Sequence, residues 1–580
     1  MNAVQQMIHS ESDAIFFDMN VDNETIDLEE CIEQEEDYEE NSEGDEEVVK
    51  ENENDDVVLG EEKSRDNVPF FNHIDAANDD VTSSWSLLQP TVEWTPSVEL
   101  KKGLTFKDKA DLKRAVQLYS IKRHRMYEVV ETKSNVWALK CAKHKEGGCC
   151  WRLRACKRKS HQLFEITKYD GPHRCLYQSL SRDHPMLDSN LLAREIENQV
   201  KVEPSITVAA LIETSKEKFS YDVSYKKMWN AKQKAIHTVF GDWDKSYKTL
   251  PKFVAALEKC NDMIVVWQFE KLHDQNMGTF QRIFWAFPQS VEGFKYCRPV
   301  ISIDGTHLYG RYKGKMLIAM AVDGNNQLFP LSFAIVEEES FDSWSWFLHC
   351  LRQKVTQRKG VCLISDRHKG ITSAVNDPYS MWREPWGYHR YCLRHICSNF
   401  NDKFHNKQLK VLVYRAGSAH QVRKFDAIIQ EIDKINPEAR KWLDKIPVAQ
   451  WSLAHDGGRR YGIMTTNLSE VFNSVLKGAR NLPITACVQL TFYRLVKFFS
   501  VRRGFVEDAL AKRYLYTPHV LATIEGYRVK ANTHDIVHFD RAQGVCEVLT
   551  APYGEGMQKG HNKQVVHLAQ KTCSCGKWQI

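Results

Sequence analysis

The chain has 580 residues, 42% of them hydrophobic and 11% aromatic, with a formal net charge of +3. That length exceeds a single compact core and predicts three or four domains, and the composition excludes a collagenous or low-complexity protein. The small net charge hides an asymmetry. Residues 1–56 hold 22 acids against one lysine, a net of −21, so the remainder carries +24. A basic body with an acidic tail points toward a polyanionic partner. No run of 18 apolar residues stands out, which predicts no transmembrane helix, and the start from Met1 to Gln6 lacks the basic and apolar regions of a signal peptide. The 16 cysteines are therefore read as thiols of a reducing compartment, where clustered Cys and His favour metal over disulfides. Isolated ones such as Cys260, Cys350 and Cys362 read as small buried apolar residues.

Residues 1–95 read as a disordered acidic tail, because Asp27 to Asp56 holds 17 acids against one lysine and cannot bury enough surface to offset its lost entropy. Over 100–180 the texture is that of a small α+β zinc module. Phe106, Ala110, Leu112, Ala115, Val116 and Tyr119 recur at helical spacing, and shorter alternating runs follow within a segment rich in Cys and His. Residues 187–245 read as three helices, Leu191–Val202, Val208–Phe219 and Ser224–Val239, the last ended by Gly241. The third is basic through Lys226, Lys227, Lys232 and Lys234, so the segment is either a helix-turn-helix or a helical spacer. Residues 260–400 alternate strands with helix. Candidate strands are Ile264–Phe269, Thr279–Ala286, Pro299–Asp304, Met316–Val322, Leu328–Ile335 and Val361–Ser365, with a helix opening at Ser340. Continuous apolar runs such as Met316–Val322 belong to a sheet covered on both faces, and an RNase H-like fold fits the order. Residues 400–560 read as mostly helical, with an insertion over 400–460 and C-terminal helices within 461–540.

Asp304 and Asp366 each close an apolar strand. Two carboxylates at one sheet edge supply the oxygen ligands that Mg²⁺ or Mn²⁺ requires, and two such ions about 3.5–4 Å apart would serve phosphoryl transfer. The competing reading is that each aspartate caps a turn, Asp304-Gly305 being a common turn pair. A third acid is needed. Glu470 lies in a helix that Thr466 can cap, with Leu468, Val471, Phe472, Val475 and Leu476 as its apolar face. On an ideal wheel Glu470 stands nearly opposite that face, as a solvated surface glutamate would, and Glu339 is a rival.

The words Asp304-Gly305-Thr306-His307-Leu308, Ser365-Asp366-Arg367-His368-Lys369-Gly370-Ile371 and Cys392-Leu393-Arg394-His395 occur in this order, followed by Met464-Thr465-Thr466-Asn467 and Arg480. Together they resemble the Mutator-like element transposases of plants, from about residue 100 onward. The resemblance implies an RNase H-like DDE core with a helical insertion, preceded by a zinc module and a helical segment. It also implies Mg²⁺- or Mn²⁺-dependent cleavage and strand transfer at element ends, with Asp304, Asp366 and Glu470 as metal-binding catalytic acids. The implied partner is double-stranded DNA carrying terminal inverted repeats and the implied location the nucleus. No membrane partner is expected, and self-association stays open. Cys392 and His395 match the family's Cys-x2-His motif and form either half of a metal site or a buried structural pair.

Cys141, Cys149, His173 and Cys175 form a C-x7-C…H-x-C set suited to tetrahedral Zn²⁺, with Cys150, Cys156, His144 and His161 as competitors. The stretch Gly148–Arg154 resembles the family's N-terminal DNA-binding domain, related to WRKY-type zinc modules. Its strand alternates Trp151, Leu153 and Ala155 with Arg152 and Arg154 and runs into Lys157, Arg158 and Lys159, so one face packs while the other presents cations to DNA. At residues 560–580, Cys573-Ser574-Cys575 resembles the start of a SWIM zinc finger. The chain stops five residues later, before a second ligand pair, so this finger is expected to hold zinc poorly. No G-x4-G-K-[ST] phosphate loop or G-x-S-x-G elbow is present. Three function classes follow. They are a DNA-cleaving transposase, a domesticated DNA-binding regulator such as the FAR-RED-impaired-response proteins, and a nuclear scaffold without DNA affinity.

Overall fold

The structure is a computed structural model that describes residues 94–95, 98–145, 148–175, 183–271, 278–550 and 562–576. The acidic stretch expected to be disordered, apart from Trp94 and Thr95, lies outside the described residues. The chain divides into two compact units, whose described parts are 94–188 with 215–222, and 189–214 with 223–576.

The first unit is an antiparallel five-stranded sheet with one helix. Its elements are β1 (Thr105–Phe106), α1 (Lys109–Lys122), β2 (Tyr127–Thr132), β3 (Val136–Cys141), β4 (Arg152–Lys157) and β5 (Phe164–Asp170), in the sheet order β1-β5-β4-β3-β2. Asp108 caps α1 by accepting the Asp111 N–H at 2.8 Å, which starts the helix two residues after Phe106. Phe106, expected at the head of the helical run, lies instead in β1 opposite Phe164. Leu112, Val116 and Tyr119 recur at i, i+4 and i+7, and they share one core with Trp137, Leu139, Trp151, Leu153 and Ile166.

Four helices follow, α2 (Ser189–Val202), α3 (Val208–Phe219), α4 (Tyr225–Phe240) and α5 (Trp243–Asn261); α2, α4 and α5 belong to the second unit, and the end of α3 from Ser215 belongs to the first. Ser224 caps α4 and Gly241 ends it, at the bounds read from sequence. Two of the four lysines assigned to its basic face are occupied within the fold. Lys232 is buried and donates to the Ile206 carbonyl, and Lys234 donates to Ser189 and Asn190.

A seven-stranded sheet follows, built from β6 (Ile264–Lys271), β7 (Gly278–Ala286), β8 (Val300–Leu308), β9 (Gly314–Val322), β10 (Leu328–Val336), β11 (Val361–Ser365) and β12 (Gly387–Tyr391). Its order is β12-β11-β8-β9-β10-β7-β6. From β8 to β6 the neighbours are antiparallel, whereas β11 and β12 run parallel to β8. The helices of this region are α6 (Pro288–Phe294), α7 (Phe341–Cys350) and α8 (Lys369–Asn376). Ser340 and Ser343 form a capping box at the start of α7. Met316 to Val322 are all fully buried, as a strand covered on both faces requires. β8 runs past Asp304 to Leu308, so this aspartate lies within a strand and not at its end. The reason is β9, whose Gly314–Ile318 continue the ladder opposite Asp304–Leu308.

Beyond β12 come α9 (Leu393–Phe404), α10 (Lys407–Gly417), α11 (Val422–Ile435) and α12 (Pro437–Asp444), which share a separate apolar core. A buried ion group ties them to the sheet. Asp456 accepts from Arg390 Nε at 2.6 Å and from the Arg460 N–H at 2.6 Å, while Arg460 donates to the Tyr391 carbonyl at 3.0 Å. The chain then forms α13 (Asn467–Val475), α14 (Ile484–Ala511) and α15 (Pro518–Ala531). α14 is long and apolar enough to cross a membrane by composition alone. Its first half is buried in the protein and includes Arg494, which makes it a core helix there. Residues 534–550 correct another expectation. In place of helices, 534–550 hold β13 (His534–Asp540) and β14 (Val545–Thr550), which form an antiparallel sheet with β15 (Asn562–His567) and β16 (Thr572–Cys573).

Removing Asp456 leaves two buried guanidiniums without their counter-charge, which costs about 3–5 kcal/mol. Asp456→Ala is expected to lower the thermal midpoint of this unit by several degrees, with Asp456→Asn intermediate. Calorimetry of the full chain checks this, and an unchanged midpoint contradicts it.

Candidate functional site

Strand register brings the acids together. β8 and β11 pair Val300 with Cys362 and Ser302 with Ile364, an offset that carries Asp366 to the level of Asp304. β11 and β12 pair Ser365 with Tyr391, which carries Cys392 to the level of Asp366, and the Cys392 N–H donates to the Ser365 carbonyl at 2.7 Å. The register thus sets Asp304, within β8, side by side with Asp366 and Cys392, which follow the carboxyl ends of β11 and β12. Cys392 immediately precedes α9, so Arg394 and His395 stand in its first turn.

The segment before α13 runs alongside. The Leu393 N–H donates to the Met464 carbonyl at 2.9 Å, and the Thr466 N–H to Cys392 Sγ at 3.3 Å. α13 then faces the sheet with polar side chains. Ser469 Oγ donates to Ser302 Oγ at 2.8 Å, and Asn473 Nδ2 donates to Asp304 Oδ2 at 2.7 Å. Glu470 is neither solvated nor opposite the buried face. Its Oε2 pairs with Arg394, and its Oε1 accepts from Thr466 Oγ1 at 3.1 Å and lies 3.8 Å from His395 Nε2. Thr466 precedes α13 without capping it through its side chain. The wheel misleads because α13 is packed on two sides, with Phe472 against Phe333 on one and, on the other, Thr466 and Asn473 beside Glu470 meeting Cys392 and Asp304.

The electrostatics follow from this crowding. Burial pushes Asp304 up to about 7; the charge of His395 opposes the rise, while Asp366 and Glu339 add to it. Burial alone would lower His395, but Cys392, Asp304 and Asp366 outweigh it and raise the imidazole to about 9. Cys392 feels the converse. Burial opposes its ionisation, yet the charge of His395 and hydrogen bonds from His395 and Thr466 bring the thiol down to about 6. Glu339, the rival third acid, lies against Gly305, where a Cβ would stand 2.7 Å from its carboxyl carbon, and it pairs with Lys315 at 2.9 Å. Among the described residues, Asp304, Asp366 and Glu470 do not form one tight set of donors; Glu470 groups with Cys392 and His395, all three donor atoms within 4.8 Å.

Sequence reasoning missed Asn473 and named Arg480 only within a motif, without a role. The polar spacing Thr466, Ser469, Glu470 and Asn473 marks one side of a helix and was the available signal for the first. Arg480 donates to Thr306 Oγ1, lies over the Tyr309 ring and contributes to the field at Asp304's end of β8.

In the first unit, Cys141, Cys149, His173 and Cys175 place their donor atoms within 4.8 Å of one another. Cys141 Sγ lies 3.6 Å from Cys175 Sγ, and His173 Nδ1 lies 3.6 Å from Cys149 Sγ and 3.8 Å from Cys175 Sγ. Trp151 stacks on the His173 ring at 4.4 Å and fixes its plane. Burial holds His173 down at about 4, so its imidazole is neutral. Burial raises Cys141 to about 12; for Cys149 the N–H groups of Trp151, Arg174 and Cys175 overcome burial and lower it to about 7. The competitors point elsewhere. Cys150 is exposed, Cys156 meets Thr167, His144 meets Arg152 and the Cys149 carbonyl, and His161 lies near Glu165. Cys573 and Cys575 join neither donor group found among the described residues.

β4 alternates as read, with Trp151, Leu153 and Ala155 buried and Arg152 and Arg154 on the other face. Arg154 pairs with Glu131 at 2.8 Å and Arg158 with Glu165 at 2.6 Å, while Lys157 and Lys159 are exposed.

Two stretches of this multidomain α/β chain are similar to transposase families. Residues 300–399 match the MULE transposase domain family, and residues 97–166 match the MuDR family transposase DNA-binding domain. Both domains are thus of the Mutator-like element type to which the sequence motifs pointed. Protein FAR1-RELATED SEQUENCE 6 of Arabidopsis thaliana is 22% identical over 320 residues, which covers 50% of this chain and 41% of that protein. Protein FAR-RED IMPAIRED RESPONSE 1 of Arabidopsis thaliana is 21% identical over 160 residues, covering 26% and 19%. The chain therefore spans less than half the length of these relatives.

The raised pKa of Asp304 has a pH signature. Below its ordinary value of 3.8 the group is protonated in both folded and unfolded chains, and its contribution to stability is complete. As pH rises toward 7 the unfolded chain ionises first, and that contribution is lost. In chelator, Asp304→Asn is expected to melt above the parent near pH 8 and level with it near pH 4. A difference independent of pH contradicts this.

Proposed function

We propose that the chain is a Mutator-like DNA transposase, with an RNase H-like core that cleaves and joins DNA at the terminal inverted repeats of its element. The observation that carries the reading is the register of β8 and β11, which sets Asp304 beside Asp366 at the carboxyl edge of the sheet, within a stretch matching the MULE transposase domain. Oxygen donors of this kind fit Mg²⁺ or Mn²⁺, and the ionisation of Asp304, deferred to about 7 by burial and neighbouring acids, is what a site made for added positive charge would show. A divalent ion held there would supply charge stabilisation to the phosphoryl oxygens. Glu470, third in chain order, is the third acid of this reading; it rides on the helix whose Asn473 holds Asp304, and it would have to leave Arg394 to join the two aspartates. The charge of His395, raised first by Cys392, also acts on the two aspartates. A chromosomal substrate entails a nuclear location.

DNA binding is assigned to the first unit. Its three thiols and neutral imidazole fit Zn²⁺, which would tie the β3 end and the residues after β5 together. Beside it, Arg152, Arg154, Lys157, Arg158 and Lys159 form the cationic face. Arg154 and Arg158 are held by acids, so they orient the strand while Lys157 and Lys159 meet phosphates.

A second reading, a transposase-derived DNA-binding regulator, is favoured by the pairing of Glu470 with Arg394 and by relatives named for far-red response.

Incubation of the full chain with terminal-inverted-repeat DNA separates the two. Cleavage is expected in Mg²⁺ or Mn²⁺, reduced at least 100-fold in Asp304→Asn and Asp366→Asn; the oxyanion-stabilising scale of such groups is roughly 10²–10³. DNA binding with no cleavage in the parent overturns the transposase reading. For the DNA face, Lys157→Ala with Lys159→Ala is expected to reduce the salt dependence of binding by about two ions, from roughly 0.9 per phosphate contact. An unchanged slope moves the contact elsewhere. Cys149→Ser is expected to abolish binding.

A further inference from the structure

The turn that joins β8 to β9 is filled by aromatic and basic residues, Tyr309-Gly310-Arg311-Tyr312-Lys313. We infer that, on the transposase reading, this hairpin is a subsite for the DNA strand cut at Asp304: Tyr309 stacks on an unpaired base, and Lys313 and Arg480 meet the phosphates beside it.

Tyr309 is 46% exposed although it directly follows a strand of the central sheet. The Arg480 guanidinium lies 5.3 Å from the centre of its ring, and the His307 ring lies 6.4 Å away at a small interplanar angle. An exposed aromatic flanked by cations suits single-stranded nucleic acid, because every base has a π-face and the backbone beside it is anionic. Bases within a duplex already stack on their neighbours, so the ligand is unpaired nucleotides. Arg480 spends one donor on Thr306 Oγ1, while its Nε has no partner among the described residues. Lys313 is exposed at the end of the turn. The other two cations are paired within the fold, Arg311 with Asp244 at 3.6 Å and Lys315 with Glu339 at 2.9 Å.

The turn is anchored from behind. Gly310 leaves no room for a Cβ against the Trp243 ring of α5, and the Tyr312 hydroxyl donates to Asp244 while its ring packs edge-on to Tyr247 at 5.5 Å. The Tyr309 N–H donates to the Arg480 carbonyl at 2.9 Å. Tyr309 is thus held in place before a ligand arrives, which lowers the entropy that stacking must offset. Its distance from the aspartates also suits a strand. From Asp304 to Leu308 the strand advances about 13 Å, at about 3.3 Å per residue, and that matches about four nucleotides at about 3.4 Å each. Arg480 joins the two ends of that path. It donates to Thr306, which shares Asp304's face of β8 by strand alternation, and it lies over Tyr309.

The test is fluorescence anisotropy of a labelled oligothymidine with the full chain, without added divalent metal so that nothing is cut, and with excess unlabelled duplex to occupy the first unit. Tyr309→Ala is expected to weaken binding roughly tenfold, the scale of one base–aromatic stack, whereas Tyr309→Phe keeps most of the affinity. Lys313→Ala is expected to lower the slope of log affinity against log salt by about 0.7, the value for one phosphate of a single strand. Both positions are exposed, and circular dichroism checks that each variant folds as the parent does. Parental affinity in Tyr309→Ala, equal losses in Tyr309→Ala and Tyr309→Phe, an unchanged slope in Lys313→Ala, or a parent that does not bind the oligothymidine overturns the subsite. A parent that binds the oligothymidine but cuts no DNA leaves the subsite standing and overturns the transposase reading alone.

Discussion

The structure depends on one constraint, the parallel register of β8, β11 and β12. Backbone ladders fix it, with Cys362 opposite Val300 and Tyr388, so a slip by one residue would turn every side chain to the other face. That register is what makes residues far apart in sequence neighbours, namely Asp304, Asp366 and Cys392. The remaining parts of the site attach to it. α9 starts where β12 stops, and α13 is laid against β8 through Ser469 and Asn473.

Crowding acidic and basic groups at that edge has an electrostatic cost that the fold distributes. Asp304 defers ionisation, while Cys392 and His395 form a thiolate–imidazolium pair, and Arg394 neutralises Glu470. The thiolate–imidazolium pair lies within one turn of chain, whereas Arg394 and Glu470 meet across 76 residues. Added cations would relieve the aspartates, so the site and its metals are read as one electrostatic system.

Much of this was legible in the sequence, for physical reasons. The strands of the seven-stranded sheet announce themselves as apolar runs, and Ser340, Ser224 and Gly241 mark helix ends through capping chemistry. The zinc-type set was legible as a spacing, although only the fold separates Cys141, Cys149, His173 and Cys175 from Cys150, Cys156, His144 and His161. What escaped were features decided by tertiary context. Asp304 read as a strand end because Gly305 follows it, yet pairing with β9 carries the strand through. Glu470 read as solvated because a wheel assumes one buried side, whereas α13 has two. The strands from His534 to Cys573 escaped because Ile536, Val537 and Phe539 are exposed, so the alternation of buried and polar positions that marks a strand is absent there.

The central claim is that register makes Asp304 and Asp366 one cation site. Titration of the full chain with Mn²⁺, followed by electron paramagnetic resonance after zinc has been retained at stoichiometric level, tests it most directly. The account predicts a Mn²⁺ site in the parent that is lost equally in Asp304→Asn and in Asp366→Asn. Retention of that site in either variant would contradict it.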